Sequence, residues 1–250
     1  AYLFGICVEK GSELEKSERK YKYRIVFQGN RVVDQDYEAA TFEDLGSSPA
    51  TLESSRACDL YGSASGHCVE MADAEQAYVQ AELTGTETWV CLPPEARIGT
   101  QWKGFSRPVV RLRLALYGHP DAGTCWERHC DSHLRSVGFE PVSEVWSSCY
   151  FHHALKLFLV VYVDDFKLSG PAGSTEKVWG QICEASVTGK PHPLSHVLGC
   201  THDSVRLVPP WSRDAMGGEQ LARRIGKLPG ATPTNAIPGL RNKTPFSGAS

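Results

Sequence analysis

Leu159-Val160-Val161-Tyr162-Val163-Asp164-Asp165-Phe166-Lys167-Leu168-Ser169-Gly170 decides the fold of this chain. Two apolar runs, Leu155 to Val163 and Phe166 to Ser169, are broken by Asp164-Asp165, the pattern of a β-hairpin with acids at its turn. Two adjacent carboxylates beside so much apolar surface are costly, because each loses hydration and repels the other. A divalent cation offsets both penalties. Mg²⁺ wants oxygen ligands and commonly takes one or two carboxylates plus substrate phosphates. A hydrophilic Asp-Asp turn without chemistry explains the same residues, so the reading needs a further acid.

That acid lies upstream. Cys68 to Met71 is a short strand candidate leading into Asp73, with Tyr78 five residues on, and Ala74 to Glu82 permits a helix. Farther out, Tyr21 to Gln28 alternates and is β-branched, a strand ended by Gly29-Asn30. Leu52 to Tyr61 reads as a helix with Thr51 as N-cap, and Thr88 to Leu92 as a strand closed by Pro93-Pro94. Val109 to Arg113 alternates apolar and basic residues, as a half-exposed strand does. Ala122 to Val137 is a helix with Asp121 at the N-cap position and Gly138 at its end. Cys149 to His152 is a strand and Ser174 to Val187 a second long helix. Strands and helices without regular βαβ alternation give an α+β class.

Composition excludes whole classes. The 250 residues are 41% hydrophobic, 10% aromatic and 22% charged, enough for a sizeable core in one large or two small domains. The longest apolar run, Leu157 to Val163, has seven residues, far short of the ~18 needed to cross a bilayer. The opening AYLFGICVEKG lacks the basic region and apolar length of a secretory signal, and a start at Ala1 is the pattern of a segment from a longer polypeptide. Nine scattered cysteines without a Cys-x2-Cys pair fit reduced thiols in an intracellular protein. The net charge of -3 conceals blocks. Lys16, Arg19, Lys20, Lys22, Arg24 and Arg31 are basic, Asp36 to Glu95 holds twelve acids against Arg56, and Arg97 to Arg113 holds five bases and no acid. Basic segments flanking an acidic centre suit a polyanion groove around a cation site; ordinary solvated surface charge suits them too.

Several motifs then occur in order. DAEQAYVQAEL (73–83), LALYGHPDAGTCW (114–126), SVGFEP (136–141) and LVVYVDDFKLSG (159–170) together resemble the reverse transcriptase of Ty1/copia-type retrotransposons. YKYRIVFQG and DQDYEAATFEDL look like that family's fingers region, and VLGC (197–200) sits where a Leu-Gly turn is expected. The resemblance implies a right-hand polymerase: a four-stranded antiparallel palm sheet backed by helices, fingers from two separated segments, and a truncated thumb. It divides the chain into an N-terminal extension (1–19), fingers (about 20–60 and 97–115), palm (about 61–96 and 116–205) and a largely irregular partial thumb or connection (206–250). It implies an RNA-directed DNA polymerase in which Asp73, Asp164 and Asp165 hold two Mg²⁺ ions, with Mn²⁺ able to substitute. Tyr78 would lie under the nucleotide sugar and exclude a 2′-hydroxyl. Arg24 would contact the triphosphate, and Ala74 and Glu75 would offer backbone groups beside it. Implied partners are an RNA template, a DNA or tRNA primer, dNTPs and other Pol domains, with no membrane. The implied compartment is the cytoplasm, within a virus-like particle.

The same comparison exposes departures. The family's Leu-Tyr-Gly-Leu-Lys-Gln-Ala-Pro-Arg-Ala-Trp reads here Leu116-Tyr117-Gly118-His119-Pro120-Asp121-Ala122-Gly123-Thr124-Cys125-Trp126. Asp121 replaces the nucleotide-positioning Gln, two positive charges are missing, and Lys167 replaces an aliphatic residue. A decayed relic that keeps the fold and some nucleic-acid binding is therefore the alternative reading. Cys125, His129 and His133 recur on one helical face at a spacing that zinc could use, although a half-buried helix face explains it too.

Overall fold

The structure, a computed structural model, describes residues 1–40, 42, 48–185, 188–197 and 200–202. The expected partial thumb, 206–250, lies outside the described residues.

Alternating Lys20-Tyr21-Lys22-Tyr23-Arg24 forms a strand as expected, and its partner is a surprise. β1 (Leu3–Lys10) pairs antiparallel with β2 (Lys20–Phe27), from Leu3 opposite Phe27 to Lys10 opposite Lys20. Eight residues of the stretch set apart as an extension therefore form one arm of a hairpin. Its other end is fastened through Tyr2, whose carbonyl accepts from the Gln28 N–H at 2.9 Å.

α1 (Leu52–Gly62) starts where Thr51 Oγ1 accepts from the Ser54 N–H at 3.3 Å, a working N-cap. β3 (His67–Asp73) follows. The helix expected over 74–82 shrinks to a 3-10 turn, Ala77–Gln80, because Gln76 takes a left-handed φ of 53° that ends regular helix before it begins. β4 (Trp89–Cys91) and β5 (Val109–Arg111) pair with each other, and Tyr2 bridges to Cys91. Chain segments far apart in sequence thus meet at Tyr2, with Arg107 hydrogen-bonded to its hydroxyl.

α2 (Ala122–Ser136) begins after Asp121, but the Asp121 side chain caps nothing. Its ψ of 0° departs from the extended N-cap conformation, so the carboxylate is not aimed at the first-turn N–H groups. β6 (Glu140–Pro141), β7 (Cys149–His152), β8 (Leu157–Tyr162), β9 (Asp165–Pro171), α3 (Ala172–Ala185) and β10 (His192–Pro193) complete the main sheet. Its order is β10-β3-β9-β8-β7-β6, antiparallel throughout. The four expected strands form its centre, and the two-residue edge strands make it six. A last small hairpin joins β11 (His196–Val197) to β12 (Cys200–Thr201).

Strand alternation sorts the two faces. Leu157, Leu159, Val161, Phe166 and Leu168 face α2 and α3, packing with Trp126, Leu134, Val178, Trp179 and Ile182. Phe158 and Val160 pack with Cys58 and Cys149 on the α1 side. That second face also carries Lys167, only 2% exposed, whose Nζ donates to Ser55 Oγ at 2.9 Å and to the Ser55 carbonyl at 3.1 Å. Among the described residues, no helix is long and apolar enough to cross a membrane.

Candidate active site

The β8–β9 hairpin turns on two residues, Val163 and Asp164, leaving Tyr162 opposite Asp165. Val163 sits at φ 55°, a conformation that costs a β-branched residue roughly 1–3 kcal/mol. Two hydrogen bonds hold the strained turn. Trp126 Nε1 donates to the Val163 carbonyl at 2.6 Å, and the Ala74 N–H donates to the Asp164 carbonyl at 2.6 Å. Trp126 thus links the α2 core to the turn that carries the acids. Beneath it, Tyr78, Trp126, Glu127 and Val163 line a pocket of about 20 Å³, room for one water. Burial there pushes the Glu127 carboxyl above its usual range, opposed by a backbone hydrogen bond with Ser48. Trp126→Phe should lower the melting temperature by roughly 3–8 °C, the effect of leaving the Val163 carbonyl unpaired. Thermal denaturation checks this, and an unchanged melting temperature would show that the turn holds without Trp126.

β3 pairs with β9 so that Asp73 stands opposite Asp165. Asp73 and the adjacent Asp164-Asp165, remote from it in sequence, are therefore gathered at one end of the sheet. The Asp165 carboxyl is pushed up to about 6, first by burial and then by a hydrogen bond with Asp73 and the charges of Asp164 and Asp73. Among the described residues, no three His, Cys, Asp or Glu side chains form a ready-made metal cage. The donor set is a hydrogen-bonded Asp73–Asp165 pair with Asp164 close enough to act on it by charge. Crowded carboxylates are all-oxygen donors whose repulsion a hard cation relieves, so the chemistry fits Mg²⁺ or Mn²⁺.

Tyr78 is half-buried, its ring edge-on to Tyr117 with centroids 4.6 Å apart. Arg24, on β2, places its guanidinium carbon 5.3 Å from the centre of the Tyr117 ring. Burial raises the pKa of both tyrosines, and the charge of Asp164 adds to the rise in each. Arg24, Tyr78 and Asp164 thus share one neighbourhood, joined by Tyr117. Sequence reading quoted Tyr117 within a motif but gave it no role; its apolar-looking context held no signal that strand β2 would reach it.

The structure also places the other expected residues. The Ala74 N–H is taken by Asp164, so it cannot serve a phosphate. Glu75 is exposed, and its carbonyl accepts from Gln80 Nε2 at 2.6 Å. The Asp121 N–H donates to His119 Nδ1 at 3.1 Å, which makes Nδ1 the acceptor and leaves Nε2 to donate to Thr88 Oγ1 at 3.0 Å. His119 is 5% exposed and burial depresses its pKa, so a neutral imidazole packs against Phe27. The helical Cys-His-His face is divided among separate neighbours. Cys125 packs with Ala81, Ala115 and Ala122, His129 stacks on Trp126, and His133 Nε2 faces the Ile182 carbonyl at 3.3 Å.

Residues 7–179 match the family described as Reverse transcriptase (RNA-dependent DNA polymerase), and the chain belongs to that family. The match begins inside β1 and ends in α3, so it takes in the acidic cluster, Tyr78, Tyr117 and Arg24. No curated protein matches the chain.

Proposed function

We propose that the chain is an RNA-directed DNA polymerase of a copia-like retrotransposon, extending a DNA or tRNA primer on an RNA template. The observation that carries this reading is the meeting of Asp73, Asp164 and Asp165 at one sheet end beside Tyr78 and Arg24. In this reading the main sheet with α2 and α3 belongs to the palm (about 61–96 and 116–205), and β2, α1 and β5 belong to the fingers (about 20–60 and 97–115).

Asp73, Asp164 and Asp165 would hold Mg²⁺, or Mn²⁺. Bound there, the metal would lower the pKa of the primer 3′-hydroxyl and neutralise charge on the triphosphate and leaving pyrophosphate. The chain's own residues orient the nucleotide. The Tyr78 ring forms the floor beneath the sugar and leaves no room for a 2′-hydroxyl. The Arg24 guanidinium, exposed on β2, donates to phosphate oxygens. Template and primer are held mainly by phosphate contacts, so binding weakens with salt. The setting would be a cytoplasmic particle, beside other Pol domains.

One observation favours a second reading, a decayed copy. Asp121, half-buried at the start of α2, brings a carboxylate where the family places an amide, and its side chain has no capping role to justify it. Primer extension on an RNA template with dNTPs and Mg²⁺ or Mn²⁺ separates the two. Activity lost in Asp164→Asn establishes the polymerase. Silence in the native chain with activity in Asp121→Gln identifies a decayed enzyme with its acidic site intact. Silence in both overturns the catalytic reading.

A further inference from the structure

Tyr117 is placed by backbone geometry that allows little adjustment. Its carbonyl accepts from the Phe27 N–H at 2.7 Å, fixing it to the last residue of β2. The next residue, Gly118, has φ +88°, and a Cβ there would lie 2.3 Å from the Phe27 carbonyl oxygen. Gly29 repeats the constraint from the other side, since its Cβ would fall 2.5 Å from the Gly118 carbonyl oxygen. Two main-chain segments are in direct contact, and only glycine allows it. The Tyr117 ring therefore leaves a rigid junction between β2 and the start of α2. On one side it carries Arg24, and on the other it meets Tyr78.

We propose that Tyr117 is a positioning residue that couples the triphosphate-binding Arg24 to the sugar-sensing Tyr78, so that phosphate grip and sugar selection are set together. This rests on the polymerase reading above. Arg24 is exposed on a two-stranded hairpin, and a long side chain there samples many rotamers. Stacking on a fixed ring restricts it to poses over the site and lowers the ordering cost on binding nucleotide. The same ring abuts Tyr78 edge-on and limits its tilt away from the sugar. Loss of the Tyr117 ring should therefore weaken nucleotide binding and relax sugar discrimination together, whereas loss of its hydroxyl alone should do neither.

The test is equilibrium binding of dTTP and of UTP to the full chain with Mg²⁺ and a poly(rA)·oligo(dT) duplex ended by a dideoxynucleotide, so that no turnover is needed. Tyr117→Phe should bind like the parent. Tyr117→Ala should bind dTTP about two- to tenfold more weakly and narrow the dTTP-to-UTP ratio. Combined with Arg24→Ala, it should add little to the loss from Arg24→Ala alone, the signature of a shared interaction. Arg24→Lys keeps the charge at an exposed site and loses the flat stacking surface. It should weaken dTTP as Tyr117→Ala does, which keeps the test decisive if Tyr117→Ala fails to fold. Parental affinity in Tyr117→Ala or in Arg24→Lys, or additive losses in the double variant, would overturn the coupling alone. Absence of dTTP binding by the parent would overturn the polymerase reading and the coupling with it.

Discussion

Asp165→Asn is expected to cut primer extension about a thousandfold, some 4 kcal/mol of lost transition-state stabilisation, while making the metal-free chain more stable at neutral pH. The two effects have one cause. In the folded chain the Asp165 carboxyl holds its proton up to about pH 6, against an ordinary 3.8, because burial, Asp73 and Asp164 all disfavour its charge. A carboxyl raised in the folded state contributes stability that is complete below about pH 3.8 and lost as pH rises through about 6. Metal-free protein should therefore gain melting temperature from this group between pH 7 and pH 5. Asparagine carries no charge at any pH and can still donate a hydrogen bond to Asp73, so the variant should lack that part of the slope. Melting curves in a chelator, read as parent minus variant at each pH, isolate it from every other group in the chain. Mg²⁺ added at pH 7 should restore to the parent the stability that ionisation removed, and do nothing comparable for the variant. Equal slopes in parent and variant would show that the acids do not crowd one another; surviving extension would remove Asp165 from the chemistry.

The acidic cluster was legible because its cost is written locally. An Asp-Asp pair inside an apolar hairpin demands explanation before any tertiary contact is known, and the strand leading into Asp73 was visible from its own pattern. Antiparallel register then places Asp73 opposite Asp165. What escaped the sequence was long-range or conformational. β1 is a strand only because β2 pairs with it, and nothing within Leu3–Lys10 names that partner. The left-handed Gln76 that shortens the expected helix to a 3-10 turn is a backbone choice imposed by the chain leaving β3. Tyr117 became part of the site through a backbone contact between Gly29 and Gly118, far apart in sequence. Asp121 was legible as the residue preceding a helix, but its ψ, which denies it a capping role, was not.

Lys167 yields the second large effect, through an asymmetry between it and its partner. The lysine is 2% exposed on β9, two residues from Asp165, and its Nζ approaches Asp59 Oδ1 at 2.7 Å. That approach pairs the charges although it lies off the hydrogen-bond direction, since Oδ1 accepts no hydrogen bond; the donors go to Ser55 on α1. Asp59 has 31% of its side chain exposed and also lies 3.4 Å from His202 Nε2. Removing the carboxylate leaves a buried ammonium with only neutral partners, whereas removing the lysine leaves a carboxylate that water and His202 can still reach. Asp59→Ala should therefore destabilise by about 2–3 kcal/mol, below the usual 3–5 for breaking a fully buried pair because Asp59 is partly solvated. For a chain of this size that lowers the melting temperature by roughly 4–12 °C. Lys167→Met, whose side chain fills the same space without charge, should cost less, and the double variant should resemble Lys167→Met rather than the sum of the two. Thermal melts of the four proteins decide it. A Lys167→Met loss as large as that of Asp59→Ala, or strictly additive losses, would mean that the lysine serves by its contacts with Ser55 and not by its charge. A cation is thus accepted into the sheet face under the acidic end of β9, and Asp59 is the residue on which this depends.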